Sequence, residues 1–326
     1  MIYKPYRLQI ETTSVCNLNC KGCLRETDPD LGHMEPDLFY HILDMIDIDL
    51  PLFPWINGEP LLHPKFHEFA LEMNGRGQRY CLSTNGQLWK EDSMQTITDE
   101  NSECYYLIFS IDGLYNKTND TLRRGSDLNK TIENLEKFIE LKKIKGSKID
   151  IGIKAVNNGQ DYEEIEDFIF HWLSNIDIDF ISVTSLMFPD GSDKLRHYPC
   201  KAFYNDGVLV VRRSGDIVRC GYNEHSTNDP STFLGDIRQY RTITEAFNSD
   251  THNELRRQEA TGEFTYPCNT CSIAYSGKGF HGMIAFRDEK KREGIPFIYW
   301  HNDSFQSFYS LEDTRKTGKL FDYIGG

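Results

Sequence analysis

The chain has no uninterrupted apolar run long enough to cross a bilayer. Its N-terminus, MIYKPYRLQIETT, lacks the apolar core of a signal peptide. Both absences point to a cytoplasmic protein. Positive charge is also scarce: 36 Lys and Arg face 50 Asp and Glu, for a formal net charge of −14. That deficit argues against a broad surface tracking a phosphate backbone, and so against duplex nucleic acid as a partner. Internal repeats and low-complexity tracts are absent too. What is present is 326 residues that are 39% hydrophobic, enough for one large domain plus a small one. Nine cysteines, an odd number, suggest metal or redox work rather than disulfides in such a compartment.

From residue 6 to about 186, strand-like and helix-like segments alternate. YRLQIETT, LFPWING, RYCLSTNG, YYLIFSIDG, IDIGIKAV and DFISVTSL read as strands. DLFYHILDMIDI (37–48, with Pro36 near its start), HPKFHEFALEMNG and DLNKTIENLEKFIELKK read as helices. A fourth helix carries Ile165, Phe168, Ile169, Trp172, Leu173 and Ile176 on one face. Repeated βα units predict an α/β fold with a parallel sheet. Six strands are too few for a closed eight-stranded barrel, so a partial (β/α)6 barrel is expected, with functional loops at the carboxyl ends of its strands. Composition changes near residue 190. VLVVRRSGDIVRC then reads as a hairpin with a Ser-Gly-Asp turn, and TITEAFNSDTHNELRRQ as a helix. The expected division is 1–190, 191–276 and a Tyr- and Phe-rich extension, 277–326. The extension, with Trp300 and His301, is a candidate cover for the mouth of the site.

CNLNCKGC, directly after the first strand, puts Cys16, Cys20 and Cys23 on one short loop. Three thiolates can hold three irons of a cubane and leave the fourth iron open to a small molecule. A zinc knob is the alternative, since CxxC serves both, with His33 as a fourth ligand.

The CxxxCxxC loop resembles the signature of the radical S-adenosylmethionine (SAM) enzymes. Further marks are similar in type and order. Asn57-Gly58-Glu59-Pro60, placed at the end of the second strand, is similar to the family's Gly-Gly-Glu-Pro segment, which contacts the amino group of the cofactor's methionine part. Ser83-Thr84-Asn85-Gly86 and Ser110-Ile111-Asp112-Gly113 end the third and fourth strands. Arg124-Gly125 resembles an arginine that meets the cofactor carboxylate. The resemblance implies S-adenosyl-L-methionine contacts from Asn57, Gly58, Glu59, Pro60, Asn85, Ser110, Asp112 and Arg124. It also implies a [4Fe–4S] cluster on the three cysteines. Two positions depart from the family pattern: Gly22, where a bulky residue beside the adenine is common, and Asn57, where Gly is commoner.

Cys200, Cys220, Cys268 and Cys271 remain downstream. A hairpin can bring Cys200 and Cys220 together, and the CxxC closes a four-thiolate site for zinc or a second [4Fe–4S] cluster. This half resembles the twitch domain, the shortened relative of SPASM, with Leu234-Gly235-Asp236-Ile237 and Leu255-Arg256 similar to its connecting segments. That resemblance implies an auxiliary cluster fully ligated by cysteine and suited to electron transfer. Cys81 and Cys104 are left over. Cys81, four residues before Asn85, lies about 13 Å below the strand end and Cys104 deeper still, so both read as small buried hydrophobes.

The pattern implies an oxidoreductase that takes a hydrogen atom from a small substrate, with a flavodoxin or ferredoxin as electron donor. The cysteine layout is similar to that of twitch-type aminocyclitol dehydrogenases and so favours a sugar- or cyclitol-like molecule. Peptide modification is second, because such enzymes usually carry an N-terminal peptide-binding domain and here the first strand begins within ten residues of Met1. A non-catalytic, metal-stabilised scaffold is third. No residue type or spacing picks out a catalytic base.

Overall fold

The computed structural model describes residues 2–23, 25, 30–157, 160, 162–185, 207–220, 230–266, 268–270, 282–287 and 307–310. Cys200, Cys271 and the candidate cover residues Trp300 and His301 lie outside them. The chain gathers into two compact units, Met1–Leu82 with Met187–Gly277, and Ser83–Leu186 with Lys278–Gly326. It passes from one to the other within the strand Tyr80–Thr84.

The first unit is built around Arg7–Ile10, whose four residues are all buried. A strand covered on both faces is normally apolar throughout. Arg7 and Gln9 are accommodated because Gln9 donates to the Trp55 carbonyl at 3.1 Å and the Arg7 guanidinium lies 4.8 Å from the Phe53 ring centre. Leu52–Phe53 pairs in parallel on one side, Leu8 opposite Leu52, and Leu52 in turn pairs in parallel with Tyr80. This strand is shorter than expected. Pro51 and Pro54 flank it, and proline supplies no ladder N–H. Asn57-Gly58-Glu59-Pro60 therefore begins four residues after the last strand residue, Phe53, instead of closing the strand.

On the other side of Arg7–Ile10 lies Val208–Val211, parallel and in register from Arg7 opposite Val208 to Ile10 opposite Val211. It forms the expected hairpin with Asp216–Val218, and Gly215 at φ +94° makes the turn. Phe233–Asp236 adds a third antiparallel strand. The helices are Pro36–Asp44, which stops short of the acidic run before Pro51, and Phe66–Gly75; Phe39 stacks on Phe69 with ring centres 3.9 Å apart. The single helix expected over 242–258 is two, Ile243–Phe247 and Asp250–Thr261. The Asn248 amide donates to the Tyr3 carbonyl and accepts from its N–H, while Ser249 caps the second helix by accepting from His252 N. These polar contacts compete with the helical ladder and break it there.

In the second unit Cys104–Ser110, Asp150–Asn157 and Phe180–Ser185 are parallel neighbours. Each is followed or preceded by a helix: Leu128–Lys145, capped by Asp127 and ended at Gly146, and Tyr162–Asn175. Ile165, Phe168, Ile169, Trp172 and Leu173 are buried as the spacing predicts, and Ile176 falls just past the helix end. Helices Glu91–Ile97 and Asn116–Leu122 were not expected. Gly282–Phe286, within the extension whose sequence matched no pattern, pairs antiparallel with Phe180–Ser185, and Ser307–Ser310 pairs in parallel with it. The architecture is mixed α/β with a mainly parallel sheet. Among the described residues no helix is long and apolar enough to cross a membrane.

Candidate functional site

The loop that follows Arg7–Ile10 is pinned by hydroxyls before it reaches its cysteines. Thr12 donates to the Pro54 carbonyl at 2.8 Å and Thr13 to the Gly32 carbonyl at 3.1 Å. Ser14 accepts from Gly32 N at 3.0 Å, and Thr13 and His33 form an isolated bridge. The cysteine segment is therefore closed at its base by the pairing of 13–14 with 32–33. His33 has its Nδ1 2.9 Å from the Thr13 hydroxyl and so serves this closure.

Cys16, Cys20 and Cys23 are thiols outside any disulfide, all half-buried on the one loop. Leu18 N points at Cys16 Sγ at 3.4 Å, and Cys23 N donates to the Cys20 carbonyl at 3.2 Å. Gly22 has φ +75°, a conformation a bulky side chain adopts only with strain, so the tight Cys20–Cys23 turn accounts for glycine at this position. Burial pushes the Cys16 thiol up to about 12, against the opposing pull of the Leu18 N–H, and the nearby Glu59 charge adds to the rise. A thiol held in this way keeps its proton in water and gives it up to solvent when a metal ion takes its place on sulfur. Among the described residues no three of His, Cys, Asp and Glu stand ready-gathered around a metal position. The donor chemistry nevertheless fits an iron–sulfur cluster with one open iron: three thiols on a short loop, with the candidate fourth zinc ligand His33 engaged by Thr13.

Asn57-Gly58-Glu59-Pro60 packs against this loop backbone to backbone. Glu59 N donates to the Val15 carbonyl at 2.9 Å. A Cβ on Gly58 would lie 2.2 Å from the Thr13 carbonyl oxygen and 2.8 Å from that of Val15, so only glycine fits. Glu59 is buried and accepts from Leu61 N at 3.2 Å, capping the short turn Pro60–Leu62. Asn57 Nδ2 donates to Glu11 Oε1 at 3.3 Å. The first unit thus brings the three cysteines and the Asn57–Pro60 segment together.

The second unit holds the other candidate residues. Asn85 is buried in a tight turn: its Oδ1 accepts from Gln87 N, and its own carbonyl accepts from Thr131 at 3.1 Å. Ser110 is the last residue of its strand and half-buried. Asp112 is clasped by Arg123, at 2.9 Å from Nε and 3.1 Å from Nη2, and accepts Val156 N at 2.8 Å. Its own N–H donates to Asn119 Oδ1. Arg124, the arginine singled out from sequence, is exposed, while its neighbour Arg123 makes the buried pair. An Arg-Arg doublet carries no cue as to which member turns inward.

Of the second cysteine set, Cys200 and Cys271 lie outside the described residues. Cys220, half-buried, follows Arg219 in the chain, and Arg219 Nη1 lies 4.0 Å from Cys268 Sγ while donating to Thr265 Oγ1 at 3.0 Å. The end of the hairpin and the start of the CxxC therefore share one neighbourhood. Cys81 and Cys104 are buried in their strands, as expected. Sequence reading missed Glu11, Arg212 and Arg213. The Arg212 Nε lies 2.7 Å from Glu11 Oε2, with both side chains almost wholly buried.

Residues 10–169 match the profile of the Radical SAM superfamily. The chain carries a radical SAM domain. It is 25% identical over 319 residues to the tungsten-containing aldehyde ferredoxin oxidoreductase cofactor-modifying protein of Pyrococcus furiosus, an alignment covering 82% of this chain and 87% of that one. Its fold is similar to that of Streptococcus suis SuiB, solved with the precursor peptide SuiA (TM-score 0.62, 16% identity, 78% of this chain and 67% of that one). It is similar also to BtrN, solved with AdoMet and 2-DOIA (TM-score 0.54, 17% identity, 83% of this chain and 94% of that one). At these identities the structural likeness is one of fold: a partial radical SAM barrel.

Proposed function

We infer that this radical SAM enzyme is an oxidoreductase acting on a C–H bond of a small, sugar- or cyclitol-like substrate in the cytoplasm. The observation that carries the reading is the backbone-to-backbone seat of Asn57–Pro60 on the cysteine loop, in which a cluster and the methionine end of the cofactor would lie side by side. Cys16, Cys20 and Cys23 would hold one [4Fe–4S] cluster, and Cys200, Cys220, Cys268 and Cys271 a second. When bound, these groups would supply the redox chemistry: the first cluster with S-adenosylmethionine a means of taking a hydrogen atom from a C–H bond, and the second cluster an electron acceptor.

The chain's own residues orient and insulate. Asn57, Gly58, Glu59 and Pro60 would contact the methionine part. Arg124 is proposed for the cofactor carboxylate and Asn85, Ser110 and Asp112 for further contacts to the cofactor, with Arg123 holding Asp112 in place. The proposed division is 1–190 for the barrel, 191–276 for the auxiliary site and 277–326 for an extension. The ladder supports a relay role for the second site. With Val218 opposite Val210 and Val208 opposite Arg7, two more residues in the same register would bring Cys220 level with the start of the first strand. The cysteine loop rises past Ile10, roughly 10 Å further along. A flavodoxin or ferredoxin would deliver the first electron.

Peptide modification is the second reading, favoured by the likeness to SuiB, whose structure holds a precursor peptide. The relative named for cofactor modification is consistent with a small organic substrate. The test is iron and sulfide per chain after anaerobic reconstitution, with 5′-deoxyadenosine assayed in the same tube. We expect about eight irons, four to a cubane, falling to about four with 5′-deoxyadenosine lost when Cys16, Cys20 and Cys23 are replaced by Ala. Iron-free protein that forms no 5′-deoxyadenosine would overturn the reading in favour of a scaffold.

A further inference from the structure

The hairpin turn of the first unit carries two adjacent arginines: the Arg212 side chain ends on Glu11, and that of Arg213 on the base of the cysteine loop. Glu11 is fully buried at the end of the first strand. Its Oε2 accepts Arg212 Nε at 2.7 Å and Arg213 N at 3.4 Å, and its Oε1 accepts Asn57 Nδ2 at 3.3 Å. One carboxylate therefore joins the hairpin to the first residue of the Asn57–Pro60 segment. Arg213 reaches the base of the cysteine loop instead. Its Nε donates to Ser14 Oγ at 3.1 Å, its Nη2 bonds the Asp30 carbonyl and lies 3.1 Å from the Asp30 carboxylate, and its guanidinium covers Gly32. Ser14 and Gly32 flank the stretch that contains all three cysteines.

We propose that Arg212 and Arg213 are positioning residues for S-adenosylmethionine, Arg212 by holding Asn57 through Glu11 and Arg213 by closing both ends of the cysteine loop. The inference rests on the cofactor site assigned above. The physical case is one of preorganisation. Asn57 is only half-buried and precedes a glycine that cannot carry a side chain, and its amide is anchored on Glu11. A buried carboxylate is well behaved only while a cation neutralises it, and Arg212 does so with a charge-assisted bond. The hairpin, 200 residues away in sequence, thus completes a site that the first 60 residues only outline.

The experiment measures S-adenosylmethionine affinity by equilibrium dialysis on the full-length, anaerobically reconstituted chain, with iron counted in each sample. Arg212→Lys keeps the charge opposite Glu11 but not the geometry, and Asn57→Ala removes the far end of the link. Each is expected to weaken binding about tenfold, the effect of one lost hydrogen bond to a charged group. The double variant is expected to be no weaker than Asn57→Ala alone, because the arginine acts through the asparagine. Additive losses, or iron-loaded single variants that bind as well as the parent, would overturn the proposal. Should Arg212→Lys fail to load iron, Glu11→Gln read in the same two backgrounds makes the same test. Failure of the parent chain to bind S-adenosylmethionine at all would instead sink the functional reading beneath it.

Discussion

Single residues at this site are constrained by oxygen atoms more than by apolar neighbours. Gly58 is the sharpest case. A methyl group there would overlap two carbonyl oxygens, and backbone atoms cannot swing aside as a flexible side chain does. Gly58→Ala is expected to cost about 1–3 kcal/mol or more, as other forced insertions do. It should also part the Asn57–Pro60 segment from the cysteine loop. Thermal unfolding of the variant, followed by iron counting and 5′-deoxyadenosine assay, checks this; a variant that melts with the parent and makes 5′-deoxyadenosine at the parental rate would contradict the packing. The glycine was legible in the sequence as part of a motif, but the reason for it was not, because Thr13 and Val15 come from a different segment. The same limit applies to Arg123 and Arg124. Spacing can mark the doublet, but only the fold decides which guanidinium faces Asp112.

The helices and strands set the next level of constraint. The break at Asn248-Ser249 shows polar side chains overriding a helical pattern, and it places His252 in the first turn of the new helix, buried against Phe247. Burial pushes this imidazole down to about 3, and the neighbouring Arg256 charge pushes the same way. The folded chain therefore keeps His252 neutral, whereas the unfolded chain protonates it near its ordinary value of about 6.5. Stability from this group is fully present above pH 6.5 and is lost as pH falls toward 3, by roughly 1.4 kcal/mol per pH unit inside that window. Urea unfolding between pH 7 and 5 should show this slope, and His252→Gln should flatten it by one proton. A parental slope unchanged by the substitution would mean that other groups carry it. Short strands follow the same rule of local chemistry: the prolines at 51 and 54 limit Leu52–Phe53 to two ladder residues.

For the molecule as a whole, the proposed function requires two cysteine sets to serve one reaction. The hairpin that carries Cys220 also carries Arg212 and Arg213, with the arginines at its turn and the cysteine at its far end. A site at Cys220 and Cys268 would therefore be separated from the cysteine loop by about the length of a strand, a span suited to passing an electron and too long for both to grip one small molecule. Replacing Cys220 and Cys268 by Ala should leave about four irons and continued 5′-deoxyadenosine formation, with conversion of substrate to its oxidised product lost. Retained oxidation in that variant would remove the second site from the electron path.

The sequence by itself determined the alternation of strands and helices, the three-cysteine loop after the first strand and the order of the segments that follow it. These are local features, set by periodicity, turn chemistry and spacing within a few residues. The tertiary structure alone decided that Val208–Val211 lies parallel to Arg7–Ile10, that Gly282–Phe286 extends the parallel strands of the second unit, and that Arg212 neutralises Glu11 from 201 positions away. Pairing of that kind depends on which buried surfaces and charges meet once the chain has folded. No single stretch of residues contains that information, because each partner reads alone as an ordinary strand, an unpatterned segment or a solvated charge.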